Sequence, residues 1–310
     1  MVDLSTYDNS GLTIPVVVSN MNAVAGKRMA ETTARRGGIT VLPQDIALEN
    51  IIKIVDYVKK CDPFLETPVS LSPKDNIARA MDLIYKRAHG SVIIVDEQNI
   101  PVGVFTEKDS VGYDRFTKLE RVMSPEVLSV KNNLSTKKYF DFLAKNRLNL
   151  APVVDDNNKL VGVVTRKGLI RSTIYKPNLD KNGKLKVAAA LGINGNVSEK
   201  ANALVEAGVD ILVIDTAHGH QSKSLKAIEQ ARAQLPNTLI VAGNVATKEA
   251  TKDLINAGAD IVKVGIGPGA MCTTRMMTGV GRPQFSAIIE CAEAARQMGK
   301  YVWADGGVRP

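Results

Sequence analysis

From Lys186 onward, short continuous apolar runs alternate with longer stretches of helical period. The runs are Val187 to Leu191, Asp210 to Ile214, Leu239 to Ala242, Ile261 to Val264 and Tyr301 to Ala304. Between them lie amphipathic segments such as Ser198 to Ala207, Lys248 to Ala257 and Gln284 to Met298. Strands apolar on both faces, each followed by a helix, predict parallel β/α units in which helices cover the sheet. Two more units precede them: a strand at Thr13 to Val18 with a helix over Gly26 to Arg36, and a strand at Gly38 to Leu42 with a helix over Leu48 to Lys60. The expectation is an α/β protein with seven parallel strands.

The pattern changes between Asp62 and Tyr175, where an internal repeat replaces it. Asp96 to Thr106 (DEQNIPVGVFT) matches Asp155 to Thr165 (DDNNKLVGVVT) at a constant offset of 59 residues. In each copy acidic and amide residues make a hairpin turn, and a Gly-x-x-Thr ends the second strand before a helix. The predicted organisation is residues 1–61 with the first two β/α units, residues 62–175 with two repeats (about 62–115 and 116–175), and residues 176–310 with the remaining units.

Composition narrows the classes. The chain has 310 residues, enough for a large core and a second module. Three cysteines, Cys61, Cys272 and Cys291, stand far apart, which argues against a disulfide framework or zinc knuckle and for a reducing, cytoplasmic setting. No apolar run reaches membrane-spanning length. The net charge of +8 comes from scattered lysines, and the sparse aromatics are not interleaved with them, so neither nucleic acid nor membrane is an expected partner.

Chemistry-bearing residues gather where strands end. Ser19-Asn20-Met21, Asp215-Thr216-Ala217-His218-Gly219-His220, Gly243-Asn244, the loop from Gly265 to Gly281 and Asp305-Gly306-Gly307 each follow a predicted strand. Such a rim of functional loops is the signature of a (β/α)8 barrel. Gly265-x-Gly267-x-x-Ala270 also fits a dinucleotide fingerprint formally, but Pro268 stiffens the loop and no helix is expected before about Gln284. The loop also holds Cys272, a thiol among glycines that let the backbone approach a ligand. His218 and His220 lack a third ligand nearby and make a poor zinc site.

Two resemblances follow from these motifs. The repeat resembles a tandem pair of cystathionine-β-synthase (CBS) domains. That likeness implies adenine-nucleotide binding through Thr106 and Asp109 in the first copy and Thr165 in the second, where Gly168 replaces the aspartate. The loop from Gly265 to Gly281, Asp215 to Gly219, Gly243 to Val245 and Asp305 to Arg309 resemble the IMP dehydrogenase/GMP reductase family. This implies a (β/α)8 TIM-type barrel, with seven of its eight strands present, interrupted by the tandem CBS insert. It further implies that the eighth unit and a mobile flap lie beyond Pro310, so the chain would be C-terminally truncated.

By the same resemblance Cys272 is the nucleophile that adds to C2 of a purine mononucleotide, and Thr274 handles protons or contacts the base. Ser19, Asn20, Met21, Asp305, Gly306 and Gly307 would bind the substrate. Asp215, Thr216, Ala217, Asn244, Gly265 and Gly267 would line the cofactor side, and carbonyls of Gly267, Gly269 and Cys272 would hold K+. Ala270 stands where the family usually has a phosphate-binding serine, which leaves more of that task to Gly307. Asn20-Met21 and Ala270 to Met277 are more similar to GMP reductases, which use NADPH to convert GMP to IMP and ammonia. The alternatives are IMP dehydrogenase, using NAD, and a catalytically inert regulatory protein that only binds adenine nucleotides. The family also implies a homo-oligomer, a tetramer or octamer.

Overall fold

The computed structural model describes residues 2–308. The chain divides into two compact units, residues 1–61 with 176–310, and residues 62–175.

The first unit begins with β1 (Val17–Val18), α1 (Lys27–Arg35), β2 (Ile39–Leu42) and α2 (Leu48–Lys60). The second unit contains β3 (Ser70–Leu71), α3 (Ile77–Ile84), β4 (Ser91–Val95), β5 (Pro101–Thr106), β6 (Val130–Lys131), α4 (Thr136–Lys145), β7 (Leu150–Val154), β8 (Leu160–Thr165) and α5 (Arg166–Ile174). The chain then returns to the first unit with β9 (Ala188–Leu191), α6 (Val197–Glu206), β10 (Ile211–Asp215), α7 (Ser222–Gln234), β11 (Leu239–Val245), α8 (Lys248–Asn256), β12 (Ile261–Val264), α9 (Thr274–Thr278), α10 (Gln284–Gln297) and β13 (Tyr301–Ala304).

In the first unit seven parallel strands pair in the order β1-β2-β9-β10-β11-β12-β13. Every strand neighbours the next in its own unit, the order of a curled (β/α) barrel sheet. Side chains alternate across it: Ala189, Leu191, Leu212, Ile214 and Val262 pack among the helices, while Ala188, Ala190, Ile211, Val213 and Ile261 form a separate inner cluster with Leu12 and Trp303. A period of two buried on both faces explains the continuous apolar runs. The first strand is shorter than its apolar stretch, because Pro15 has no N–H and Val16 N–H turns back to the Ile14 carbonyl at 2.8 Å.

At the inner cluster, the buried Asp8 carboxylate accepts from Trp303 Nε1 at 2.8 Å, Thr6 Oγ1 at 2.7 Å and Ser10 N at 3.1 Å. Burial pushes this carboxyl up, but the donors outweigh it and hold it below the ordinary aspartate range. A depressed folded-state pKa stabilises the fold above the ordinary value and ceases to do so as pH falls through the folded one. Trp303→Phe removes one of these donors and is expected to cost about 1.5–3 kcal/mol. Urea unfolding at two pH values checks this: the penalty should shrink under acid, and a pH-independent penalty would contradict the account.

In the second unit, β3-β4-β5 and β6-β7-β8 form two three-stranded sheets of identical pairing, one parallel and one antiparallel pair each. Their hairpins repeat in detail. Asp96 Oδ1 accepts from Gln98 N and Ile100 N, and Asp155 Oδ1 from Asn157 N and Lys159 N. Asn99 and Asn158 both adopt left-handed φ, 64° and 63°. Ile93, Leu160 and Val163 pack the two repeats against one another. Among the described residues no helix is long and apolar enough to cross a membrane.

Candidate active site

The C-terminal ends of five strands in the first unit bring one polar chain together. Asn20, just past β1, donates from Nδ2 to Asp215 Oδ2 at 2.9 Å, although the two lie 195 residues apart. Asp215 Oδ1 is 3.0 Å from Lys263 Nζ. The same ammonium is bonded to Asp305 Oδ2, which also accepts from Asn244 Nδ2 at 2.8 Å.

A local irregularity aims Asn244. Between β11 and β12 the register runs from Gly243↔Lys263 to Val245↔Val264, so Asn244 is an extra residue in the ladder. A bulge of this kind turns its side chain out of the strand pair. Its Nδ2 reaches both the Gly265 carbonyl and Asp305, at 2.8 Å each, and its Oδ1 is buried with no hydrogen-bond partner. This leaves one buried acceptor beside Asp305 without a partner.

Lys263 is only 9% exposed. Burial pulls its ammonium down, but Asp215 and Asp305 outweigh burial and hold its pKa above the ordinary lysine range. For Asp305 burial pushes the carboxyl up, and Lys263 with Asn244 overcomes this and holds it low. Lys263 and Asp305 are therefore both charged at neutral pH.

Cys272 lies on the loop after β12 and is exposed, whereas Cys61 and Cys291 are buried. Its Sγ is 3.3 Å from Thr274 Oγ1. Thr274 hydrogen bonds, first from the hydroxyl and then from the backbone, hold the thiol below its ordinary pKa, with a further contribution from Arg275. In the thiol form Sγ donates to Thr274 Oγ1, and once ionised the sulfur accepts from that hydroxyl, which favours the thiolate. Thr274→Val is expected to move the pH midpoint of Cys272 alkylation to higher pH; an unmoved midpoint would show that the hydroxyl does not tune the thiol.

The segment expected to lack a helix contains a short one, α9, which begins at Thr274. It closes on Gly279 at φ 68°. Left-handed φ at Gly306 (70°) and Gly307 (69°) lets the tip of β13 press on the cysteine loop. A Cβ on Gly307 would lie 2.7 Å from the Pro268 side chain, and one on Gly306 3.0 Å from the Gly269 backbone. Gln284 adds a further tie by donating to the Val264 carbonyl at 2.8 Å and the Asp305 carbonyl at 3.2 Å.

The remaining expected residues are less tightly joined. Ser19, Met21 and Ala217 are exposed at loop positions. Thr216 donates from N and Oγ1 to the Gly243 carbonyl at 2.9 and 3.0 Å. The Gly267 carbonyl accepts from Arg275 Nε at 2.8 Å, and the Gly269 carbonyl from Cys272 N at 3.0 Å. Two of the three carbonyls expected to hold K+ thus have internal partners, one of them cationic. Each carbonyl oxygen keeps a second lone pair, so the set still suits a monovalent ion if Arg275 yields. His220 pairs with Asp253 at 2.7 Å. Among the described residues no cluster of three or more His, Cys, Asp or Glu could hold a metal.

In the second unit, Thr106 N and Oγ1 donate to Asp109 Oδ2 at 2.7 and 2.9 Å. The other copy is built differently. Thr165 Oγ1 accepts from Gly168 N and donates to Glu66 Oε2, both at 2.8 Å. Glu66 therefore fills the carboxylate position that Gly168 leaves vacant. Thr106, Thr165 and Glu66 line a cleft of about 510 Å³ with His89, Asn149 and Arg166.

Sequence reasoning missed Lys263, Gln284 and Glu66. For Lys263 a signal was present: a lysine inside the apolar run Ile261 to Val264 must find counter-charges if the strand is buried. Gln284 and Glu66 act only through tertiary contacts and had no such signal.

Comparison with known proteins gives the family. The IMP dehydrogenase / GMP reductase domain matches residues 1–310. A GMP reductase of Mycobacterium tuberculosis is 53% identical over 308 residues, 99% of this chain and 64% of the relative. An inosine-5'-monophosphate dehydrogenase of Aquifex aeolicus is 37% identical over 321 residues, again covering 99% and 64%. The chain therefore spans 64% of the length of these curated relatives. Among solved structures, a GMP reductase of Trypanosoma brucei in complex with guanosine 5'-triphosphate has a TM-score of 0.66 and 34% identity, over 99% of this chain and 75% of that one. With the family domain matched over residues 1–310 and 53% identity to a GMP reductase, this chain belongs to the IMP dehydrogenase/GMP reductase family.

Proposed function

We propose that the protein is a purine-nucleotide oxidoreductase that reductively deaminates GMP to IMP and ammonia, with Cys272 as nucleophile. The observation that carries this reading is an exposed thiol, 3.3 Å from Thr274 Oγ1, on a glycine-rich loop against which Gly306 and Gly307 pack. Similarity to GMP reductases at 53% identity supports the reductive direction over IMP oxidation.

In this reading Asp305 accepts the substrate ribose hydroxyls, and Ser19, Asn20 and Met21 flank the nucleotide. Ala270 offers no hydroxyl to phosphate, so the Gly306 and Gly307 amides supply those contacts. The Cys272 thiolate adds to C2 of GMP, a solvent proton relayed through the Thr274 hydroxyl reaches the amino nitrogen, and the C2–N bond breaks as ammonia leaves. A thioimidate joins Cys272 to C2. NADPH bound along Asp215, Thr216, Ala217, Asn244, Gly265 and Gly267 would supply hydride to C2. The thiolate then departs and IMP is released. K+ would be held by the Gly267, Gly269 and Cys272 carbonyls and would steady the loop.

The first unit is read as a (β/α)8 barrel, and the second as a tandem CBS module that binds an adenine nucleotide effector at Thr106, Asp109 and Thr165. A tetrameric or octameric assembly in the cytoplasm belongs to the same proposal. Alkylation tests the site directly. Iodoacetamide should label Cys272 in preference to the buried Cys61 and Cys291, and GMP should slow that labelling at least about tenfold, as an occupied site excludes the reagent. Fast labelling indifferent to GMP and IMP would leave only the regulatory, non-catalytic reading.

A further inference from the structure

We propose that Lys263 is a positioning residue that serves both nucleotide sites, holding Asp305 aimed at the substrate ribose and Asp215 aimed at the dinucleotide. The inference rests on the reading of Cys272 and Asp305 as a GMP site and adds a residue to which no role has been given.

Lys263 stands one residue before the end of β12, paired in register with Trp303 of β13 and Gly243 of β11. Its Nζ lies between the two carboxylates, 3.0 Å from Asp215 Oδ1 and bonded to Asp305 Oδ2. Its side chain is 11% exposed, against 19% for Asp215 and 27% for Asp305. The ammonium is thus the buried member of the trio, and the carboxylates are the members presented outward. Each carboxylate also receives one fixed amide, Asn20 on Asp215 Oδ2 and Asn244 on Asp305 Oδ2. The nearest space for a bulkier neighbour is closed, because a Cβ on Gly243 would lie 2.7 Å from the Lys263 Cβ.

Two acidic side chains this close would repel one another and turn apart without a cation between them. One ammonium has three protons, enough to hold both. Asp305 uses Oδ2 for Lys263 and Asn244, which leaves Oδ1 for incoming hydroxyls. A ribose diol then meets an acceptor already charged and oriented. Removing Lys263 should therefore cost the specific recognition of ribose hydroxyls, and not merely overall affinity.

The test compares GMP with 2′-deoxyguanosine monophosphate by calorimetric titration. The unsubstituted protein should prefer GMP about tenfold, the worth of one hydrogen bond to a charged group. Lys263→Met should reduce that preference to under about threefold and weaken NADP+ binding as well, while Lys263→Arg, which keeps the cation, should retain most of the preference. A second variant guards against loss of folding: Lys263→Met with Asp215→Asn removes one charge of each sign and should likewise lose the GMP preference. A folded Lys263→Met or double variant that still prefers GMP tenfold would overturn the proposal. If the unsubstituted protein binds GMP without preference over the deoxy form, this inference fails alone; if it binds neither, the GMP site itself is wrong.

Discussion

Cys272→Ser is expected to lower GMP turnover by at least about 10³-fold while leaving GMP affinity within about threefold. The side chains differ by one atom, so the loop, α9 and the contact with Thr274 should persist. What is lost is the nucleophile. A serine hydroxyl at this position would face the Thr274 hydroxyl, which is too weak a base to take its proton at neutral pH. The thiol starts from a lower pKa and is lowered further by Thr274. Single-turnover assays of the variant, paired with calorimetry, separate these effects. Retention of more than about a tenth of the rate would show that covalent catalysis does not pass through this residue.

The second large effect is expected at Asp305. Asp305→Asn keeps the size of the side chain but removes the charge that meets ribose hydroxyls. GMP should bind about 10–100-fold more weakly, as charge-assisted hydrogen bonds contribute about 1.5–3 kcal/mol each. The same change leaves Lys263 with Asp215 as its single carboxylate, so a loss of folding stability should accompany the loss of affinity. The loss in kcat/KM should exceed the loss in kcat, since ribose contacts are made in ground and transition states alike. Unchanged GMP affinity would remove Asp305 from the substrate site.

Much of this arrangement was legible before the structure, for definite reasons. Val187 to Leu191 and Ile261 to Val264 read as parallel strands because both faces are buried, among helices on one side and within the inner cluster on the other. The repeated DxxN hairpins were visible because Asp96 and Asp155 cap identical turns. Asp215, Asn244 and Asp305 could be singled out because each stands at or just beyond the end of an apolar run, and Cys272 because it is a thiol among glycines.

Their connections were not legible. The bond between Asn20 and Asp215 spans 195 residues, and no periodicity encodes it. Residues assigned separately to substrate and cofactor prove interleaved: Asn20 holds Asp215, and Asn244 holds Asp305. The β-bulge at Asn244 was hidden because a bulge depends on the partner strand as much as on its own sequence. Glu66 shows the same limit, since the carboxylate missing at Gly168 is supplied from about a hundred residues away.

The most direct measurement is the product balance with GMP and NADPH. The account predicts loss of NADPH absorbance matched one for one by ammonia and IMP, with turnover at least about 10³-fold lower in Cys272→Ser. Formation of NADH and XMP from IMP and NAD+, without oxidation of NADPH by GMP, would contradict it.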